Sequence, residues 1–292
     1  MKKILSILIV LLLLTGCSNN INKTDGKIKI VASNFPAYDF AQQIAGDLAE
    51  ITLLLPPGAE SHSFEPTPKD IINIQSSDLF ICNGGTSEHW IESITASADV
   101  KNIIQMSGYS ETLYTDDGYD EHVWCSPVNV MSIAQAIYEN ICILDSENCD
   151  IYTQNRDKFI NELKSLDVTF KEITDKSQNK TIIFADRFPV KYFTEEYNLS
   201  HLSAFHGCSG EAEPNASDIT KLINFVKENN VKGVFFIEFS NEKIADIVCE
   251  ETGCEKYLFH SCHNISKEDF DKGETYLSIM KKNAENLRKV IN

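Results

Sequence analysis

Residues 149–177 read CDIYTQNRDKFINELKSLDVTFKEITDKS. Within them Tyr152, Phe159, Leu163, Leu166, Phe170 and Ile173 recur at steps of seven, four, three, four and three. Those steps return every side chain to one face of an α-helix, while charged residues fill the other faces. At the helical rise such a segment extends about 43 Å, more than one small domain requires. Both flanks of this helix carry short apolar runs closed by Pro, Gly, Asn or Ser. Upstream, 27–33, 51–55, 79–83 and 102–106 read as strands, with helical stretches at 38–49 and 87–98 between them. Ser126-Pro127 has the form of an N-cap followed by proline at the first helical position, opening a helix to about residue 143. Downstream, strands are expected at 181–185, 233–237 and 256–260. Alternation of this kind builds parallel sheets covered on both faces. The expectation is an α/β protein of two lobes, each a mainly parallel sheet flanked by helices, joined by one long rigid helix. The lobes are assigned to 27–146 and 179–292 and the connecting helix to 147–178.

The first residues concern location. Lys2 and Lys3 precede the apolar run Ile4 to Leu14. Eleven residues rise only about 16 Å as a helix, against a hydrocarbon core of about 30 Å. The run therefore reads as the core of a signal peptide, residues 1–16, and not as a permanent span. It ends in Leu14-Thr15-Gly16-Cys17, which resembles a bacterial lipobox with Cys17 as the lipidated residue. Residues 17–26 then form a polar tether that holds the body at the extracytoplasmic face of a cell membrane.

Composition excludes some functions. The formal net charge is −17, a poor match for nucleic acid, which needs basic surface. Eight cysteines remain after Cys17, and none are spaced as CxxC, which argues against a four-cysteine zinc knuckle. Cys142 with Cys149, and Cys249 with Cys254, are close enough in sequence to pair, but spacing alone leaves the pairing open.

Five histidines and one aspartate sit in suggestive contexts. His62 lies in Gly58-Ala59-Glu60-Ser61-His62-Ser63-Phe64-Glu65-Pro66-Thr67-Pro68-Lys69-Asp70, just past the carboxyl end of a strand, where open α/β sheets place their ligands. His122 lies in Asp120-Glu121-His122-Val123-Trp124-Cys125-Ser126-Pro127-Val128-Asn129, directly before a helix start. In the second lobe Asp186 follows the strand Thr181-Ile182-Ile183-Phe184-Ala185, and His206 precedes Gly207-Cys208-Ser209-Gly210-Glu211-Ala212-Glu213-Pro214. Leu258-Phe259-His260-Ser261-Cys262-His263-Asn264 closes the last strand. His89 and His201 have no motif around them and read as surface residues. Gly84-Gly85 follows a strand without a phosphate-binding fingerprint and reads as a turn.

The pattern Gly-x3-His-x-Phe-Glu-Pro-Thr-Pro-x-Asp, followed by an acidic residue, His-x-Trp and Pro-x-Asn, closely resembles the ligand motifs of the family 9 bacterial solute-binding proteins. These are zinc and manganese receptors of ABC importers. The resemblance runs from residue 27 to 292, with specific motifs in the first half and weaker ones in the second. It implies a metal site between the lobes formed by His62, His122, Asp186 and His260, with His206 and His263 as alternates for the last two. Asp186 stands where many members carry a third histidine, and His260 where they commonly carry a carboxylate. The family's long histidine-rich loop is absent, and only the acidic run Asp116 to Glu121 stands in its place.

Such a protein is not an enzyme. The resemblance implies a monomeric lipoprotein that captures Zn2+, with Mn2+ as the rival, and delivers it to a membrane permease driven by an ATPase. A zinc hydrolase is the rival class, but no HExxH helix supports it. A surface adhesin with a structural metal is the third reading.

Overall fold

The computed structural model describes residues 26–97, 100–115, 118–205 and 214–292. The expected signal peptide, Cys17, most of the tether, His206 and Cys208 lie outside them. No helix among the described residues is long and apolar enough to cross a membrane.

The first lobe runs β1 (Ile28–Ala32), α1 (Phe35–Ala45), β2 (Ala49–Leu53), α2 (Pro68–Ser76), β3 (Leu79–Cys82), α3 (Trp90–Ser97) and β4 (Ile103–Gln105). Its strands pair in parallel in the order β2-β1-β3-β4. A small antiparallel pair, β5 (Tyr114–Thr115) and β6 (Gly118–Tyr119), precedes α4 (Pro127–Leu144). The connecting helix α5 spans Cys149–Lys176, 28 residues, and all six residues of its apolar stripe are buried. Where the stripe skips a turn, the Asn155 amide instead donates to the Ile44 carbonyl at 2.9 Å, tying α5 to the end of α1. The second lobe repeats the plan with β7 (Thr181–Phe184), α6 (Lys191–Glu196), β8 (Ser200–Ser203), α7 (Ala216–Asn229), β9 (Gly233–Phe236), α8 (Lys243–Thr252) and β10 (Glu255–Leu258). These strands are parallel in the order β10-β9-β7-β8. Short α9 (Lys267–Asp271) and long α10 (Tyr276–Ile291) close the chain.

Two local details differ from the sequence expectation. The helix expected over 38–49 is α1, starting three residues earlier with the Asn34 side chain as its cap and ending at Gly46, whose φ of 54° breaks it. The following strand accordingly begins two residues earlier than expected. Strand β8, Ser-His-Leu-Ser, carries no β-branched residue and was not anticipated. It is an edge strand paired only with β7, so ladder hydrogen bonds and not packing define it.

The side-chain alternation of the central strands divides the apolar residues into layers. Ile28, Ile30 and Ala32 of β1, Leu79 and Ile81 of β3, and Ile182 and Phe184 of β7 all join one core. That core threads both lobes and includes Phe159, Leu163 and Phe170 of α5 with Tyr276, Met280 and Leu287 of α10. The opposite faces pack into two satellites. Val31, Phe80 and Cys82 meet Ile74 and Trp90, while Ile183 meets Leu222, Val226, Val234 and Val248. Each fully buried Leu, Ile or Phe stabilises by about 1.5–3 kcal/mol.

A buried carboxylate joins α1 to α10. Asp39 accepts the Tyr276 main-chain N–H at 3.1 Å, at the first turn of α10, and the Gln43 amide at 3.3 Å. Burial pushes its carboxyl up to about 7, against the pull of those two donors. A raised folded-state pKa stabilises fully below the unfolded value near pH ~4, and that contribution is lost as pH rises through about 7. The variant Asp39→Asn keeps an acceptor for Tyr276 and cannot ionise. Its urea midpoint relative to the parent should therefore move in the variant's favour between about pH 5 and pH 8. A difference independent of pH would show that Asp39 does not titrate there.

Candidate metal centre

The loop carrying His62 leaves β2 at its carboxyl end and is fixed at both sides. Leu54 and Leu55 continue the ladder by donating to the Ala32 and Ser33 carbonyls. At the far side Thr67 and Asp70 form a capping box for α2, with Pro68 in its first turn. Phe64 packs edge-on against Trp90, ring centroids 6.2 Å apart. The residues around His62 in the motif thus build the loop, and His62 is what the loop presents.

His122 is buried at 2% exposure. Its Nδ1 lies 2.9 Å from Asp120 Oδ1, and its main-chain N–H donates to the same oxygen at 2.8 Å. An ionised carboxylate there makes Nδ1 the protonated nitrogen, so the lone pair sits on Nε2. The chain then makes a single turn, Val123–Cys125, before Ser126 caps α4 by accepting the Asn129 N–H. The Asn129 amide donates back to the Val123 carbonyl at 3.1 Å, which is the structural use of the Pro-x-Asn pattern.

His263 comes from the loop after β10. Its ring stands edge-on to those of His62 and His122, with centroids 5.3 and 5.1 Å away, and lies 5.1 Å from the Trp124 ring. Ligand nitrogens of His62, His122 and His263 all fall within 4.8 Å of one another, the one group of three such residues found among the described residues. Burial, the two neighbouring imidazoles and Arg187 hold His263 well below its ordinary pKa. It is therefore neutral near pH 7, the state in which an imidazole can coordinate a cation.

Two further expected ligands are held by neighbouring main-chain and amide groups. His260 Nδ1 accepts the Cys262 N–H at 3.0 Å, and the Asn283 amide grips the main-chain N–H and carbonyl of His260 at 2.9 and 2.8 Å. Its ring shapes the turn, and Cys262, at φ 63°, reverses the chain so that His263 faces the other two histidines. Glu238 completes this turn by accepting the Ser261 N–H at 2.7 Å and the Ser261 hydroxyl. Asp186 accepts the Arg187 N–H at 2.7 Å and the Ile237 N–H at 3.3 Å, with the Arg187 guanidinium 3.5 Å away. With Arg187, Glu60, Phe239 and Lys243 it lines a cavity of about 480 Å3. His89 forms an exposed pair with Glu65 at 3.0 Å, and His201 stacks on Phe188.

Behind the histidines stand acidic residues that are not among the expected ligands. Glu121 Oε1 lies 3.8 Å from His62 Nδ1, and its Oε2 accepts the Ser87 N–H at 2.9 Å. Glu88, fully buried, accepts the Asn83 and Gly84 N–H groups, and burial pushes its carboxyl up to about 7 despite them. Asp120 and Glu121 directly precede His122, so adjacency could have marked them. Glu88 carries no such signal, because only the turn brings it inward.

The turn at Gly84-Gly85 is where glycine is required. Gly85 has φ 143°, and a Cβ there would come within 2.3 Å of Glu121 Oε2 and 2.6 Å of Glu121 Cβ. Gly108 has ordinary φ and open space around its Cα. Gly85→Ala is expected to destabilise by about 1–3 kcal/mol or more, while Gly108→Ala stays within about 0.5 kcal/mol. Chemical unfolding of both variants checks this, and equal effects would refute it.

Over residues 30–290 the chain matches the family described as zinc-uptake complex component A, periplasmic. It is 32% identical to the high-affinity zinc uptake system protein ZnuA of Bacillus subtilis, covering 95% of this chain and 93% of that one. The metal-dependent lipoprotein YcdH of B. subtilis superposes with a TM-score of 0.81 at 32% identity, covering 91% of this chain and 99% of that one. The Zn(II)-bound ZnuA-like domain of Streptococcus pneumoniae AdcA superposes with a TM-score of 0.79 at 28% identity, covering 91% and 99%. Against the full AdcA lipoprotein of S. pneumoniae the chain spans 61% of the relative's length.

Proposed function

The chain belongs to the family of zinc-uptake complex components A, whose members are metal-binding transport receptors and not enzymes, and we propose that it captures Zn2+ outside the cytoplasm for an ABC importer. The observation that carries this reading is the convergence of His62, His122 and His263 within 4.8 Å. Three imidazoles suit zinc, which takes nitrogen ligands at about 2.0–2.1 Å in a tetrahedral shell. Manganese prefers oxygen-rich shells and stands lower in the affinity order, so a nitrogen-rich site favours zinc. In this reading Asp186 or His206 of the second lobe supplies the fourth donor. A lipid anchor at Cys17 would keep the receptor beside its permease.

Supply of ligands from both lobes ties occupancy to lobe geometry. His62 and His122 belong to the first lobe and His263 to the second, so an ion draws the two halves together. The permease then has a surface that differs between the loaded and empty receptor. Asp120 acts through His122: by holding Nδ1–H it orients the ring and raises its basicity.

Competitive zinc titration with metal analysis tests the assignment. One zinc per chain is expected, with affinity falling about 100-fold or more in His62→Ala, His122→Ala and His263→Ala, and about 10–100-fold in Asp120→Asn. His260→Asn, which keeps a short acceptor for the turn, is expected to change affinity far less than His263→Ala. The reverse ranking would return His260 to the site. Affinity should also fall as pH drops from 7.5 towards ~5, because a protonated imidazole cannot coordinate. A flat profile would remove histidine ligation altogether.

A further inference from the structure

Among the described residues one disulfide is formed, Cys142–Cys149, between α4 and α5. It places a second pair of sulfurs almost together. Cys249 Sγ and Cys254 Sγ lie 3.5 Å apart at the opposite end of the sequence pattern, where α8 turns into β10. The local backbone explains the approach. Gly253, at φ 76°, donates its N–H to the Cys249 carbonyl at 2.8 Å, ending α8 in a left-handed cap. In that cap the residue after the glycine folds back onto the side chain three positions before the helix end, normally as an apolar contact. Here both positions are cysteine.

Exposure separates this pair from the other free cysteines among the described residues. Cys82, Cys125 and Cys262 are buried, whereas Cys249 and Cys254 are each partly accessible. The pair also sits at the amino end of β10, away from the His263 loop at its carboxyl end. A reagent can therefore reach it without entering the histidine cluster.

We propose that Cys249 and Cys254 are a redox-active dithiol that closes to a disulfide by exchange with low-molecular-weight disulfides in an oxidising compartment. The formed Cys142–Cys149 bridge is the independent sign of such a compartment. Cys254 Sγ releases its proton and attacks one sulfur of the small disulfide, expelling one thiol. Cys249 Sγ then releases its proton and displaces the second thiol from Cys254. One S–S bond forms in the protein, one is cleaved in the reagent, and both protons and both electrons leave on the two small thiols. Burial and the Cys254 sulfur push the Cys249 thiol up to about 12, so the 3.5 Å approach of the two sulfurs, and not thiol acidity, favours the second, intramolecular attack. The bridge staples the end of α8 to the start of β10, so it fixes the strand from which the His263 loop departs.

Trypsin isolates this pair, because Ile244 to Lys256 contains Cys249 and Cys254 and no earlier Lys or Arg. The full chain, mildly reduced, is incubated with oxidised glutathione, alkylated, digested and weighed. The fragment is expected two hydrogens lighter and free of alkyl groups, and Cys249→Ser is expected to retain one glutathione on Cys254. Cys82, Cys125 and Cys262 should alkylate only after denaturant is added, which shows that the protein stayed folded throughout. A fragment with both thiols still alkylated, or with two glutathiones and no bridge, would overturn the proposal.

Discussion

The Trp124 indole N–H donates to the Ser261 carbonyl at 2.8 Å, and this bond between lobes governs the placement of everything around it. Trp124 follows His122 by two residues, and Ser261 precedes His263 by two. Fixing one to the other sets the distance between histidines that lie far apart in the chain. Tyr276 seals the same junction by donating its hydroxyl to the Trp124 carbonyl at 2.8 Å. The loop of His62 is stitched in from the other side. Gly58 donates to the Ile265 carbonyl, and the Asn264 amide donates to the Pro56 and Ala59 carbonyls. Three imidazoles gather because their backbones are bonded to one another.

Charge follows from that gathering. Three rings this close could not all be protonated without strong mutual repulsion, and their burial adds a desolvation cost to any positive charge. Asp120 and Glu121 stand beside His122 and His62, while burial raises the carboxyl of Glu88, one layer back, to about 7. The centre is therefore prepared for an incoming cation by carboxyl groups that stand beside its imidazoles.

The sequence made the plan of the molecule legible because the plan rests on periodicity. The stripe of α5, the strand runs and the Ser126-Pro127 helix start are each local signals, and local signals survive in a linear reading. His62 and His122 were legible for the same reason, since capping and turn residues surround them. The end of β10 was not. Whether His260 or His263 faces inward depends on the left-handed residue Cys262 and on the grip of Asn283, which approaches from a helix 23 residues later. No pattern within the loop encodes that grip. Asp186 was similarly ambiguous, because a carboxylate after a strand can serve an ion or the main-chain N–H groups that Arg187 and Ile237 offer it.

The shared core has a consequence for how the chain folds and fails. Residues of both sheets, of α5 and of α10 belong to one apolar cluster, and α10 comes from the end of the chain to pack on the helix between the lobes. Neither half keeps a complete interior when the other melts. The two lobes should therefore behave as one cooperative unit, lost in a single transition, with the amides of α5 and α10 among the slowest to exchange with solvent. A lesion in either lobe is then felt by both, and so is the grip of an ion held between them.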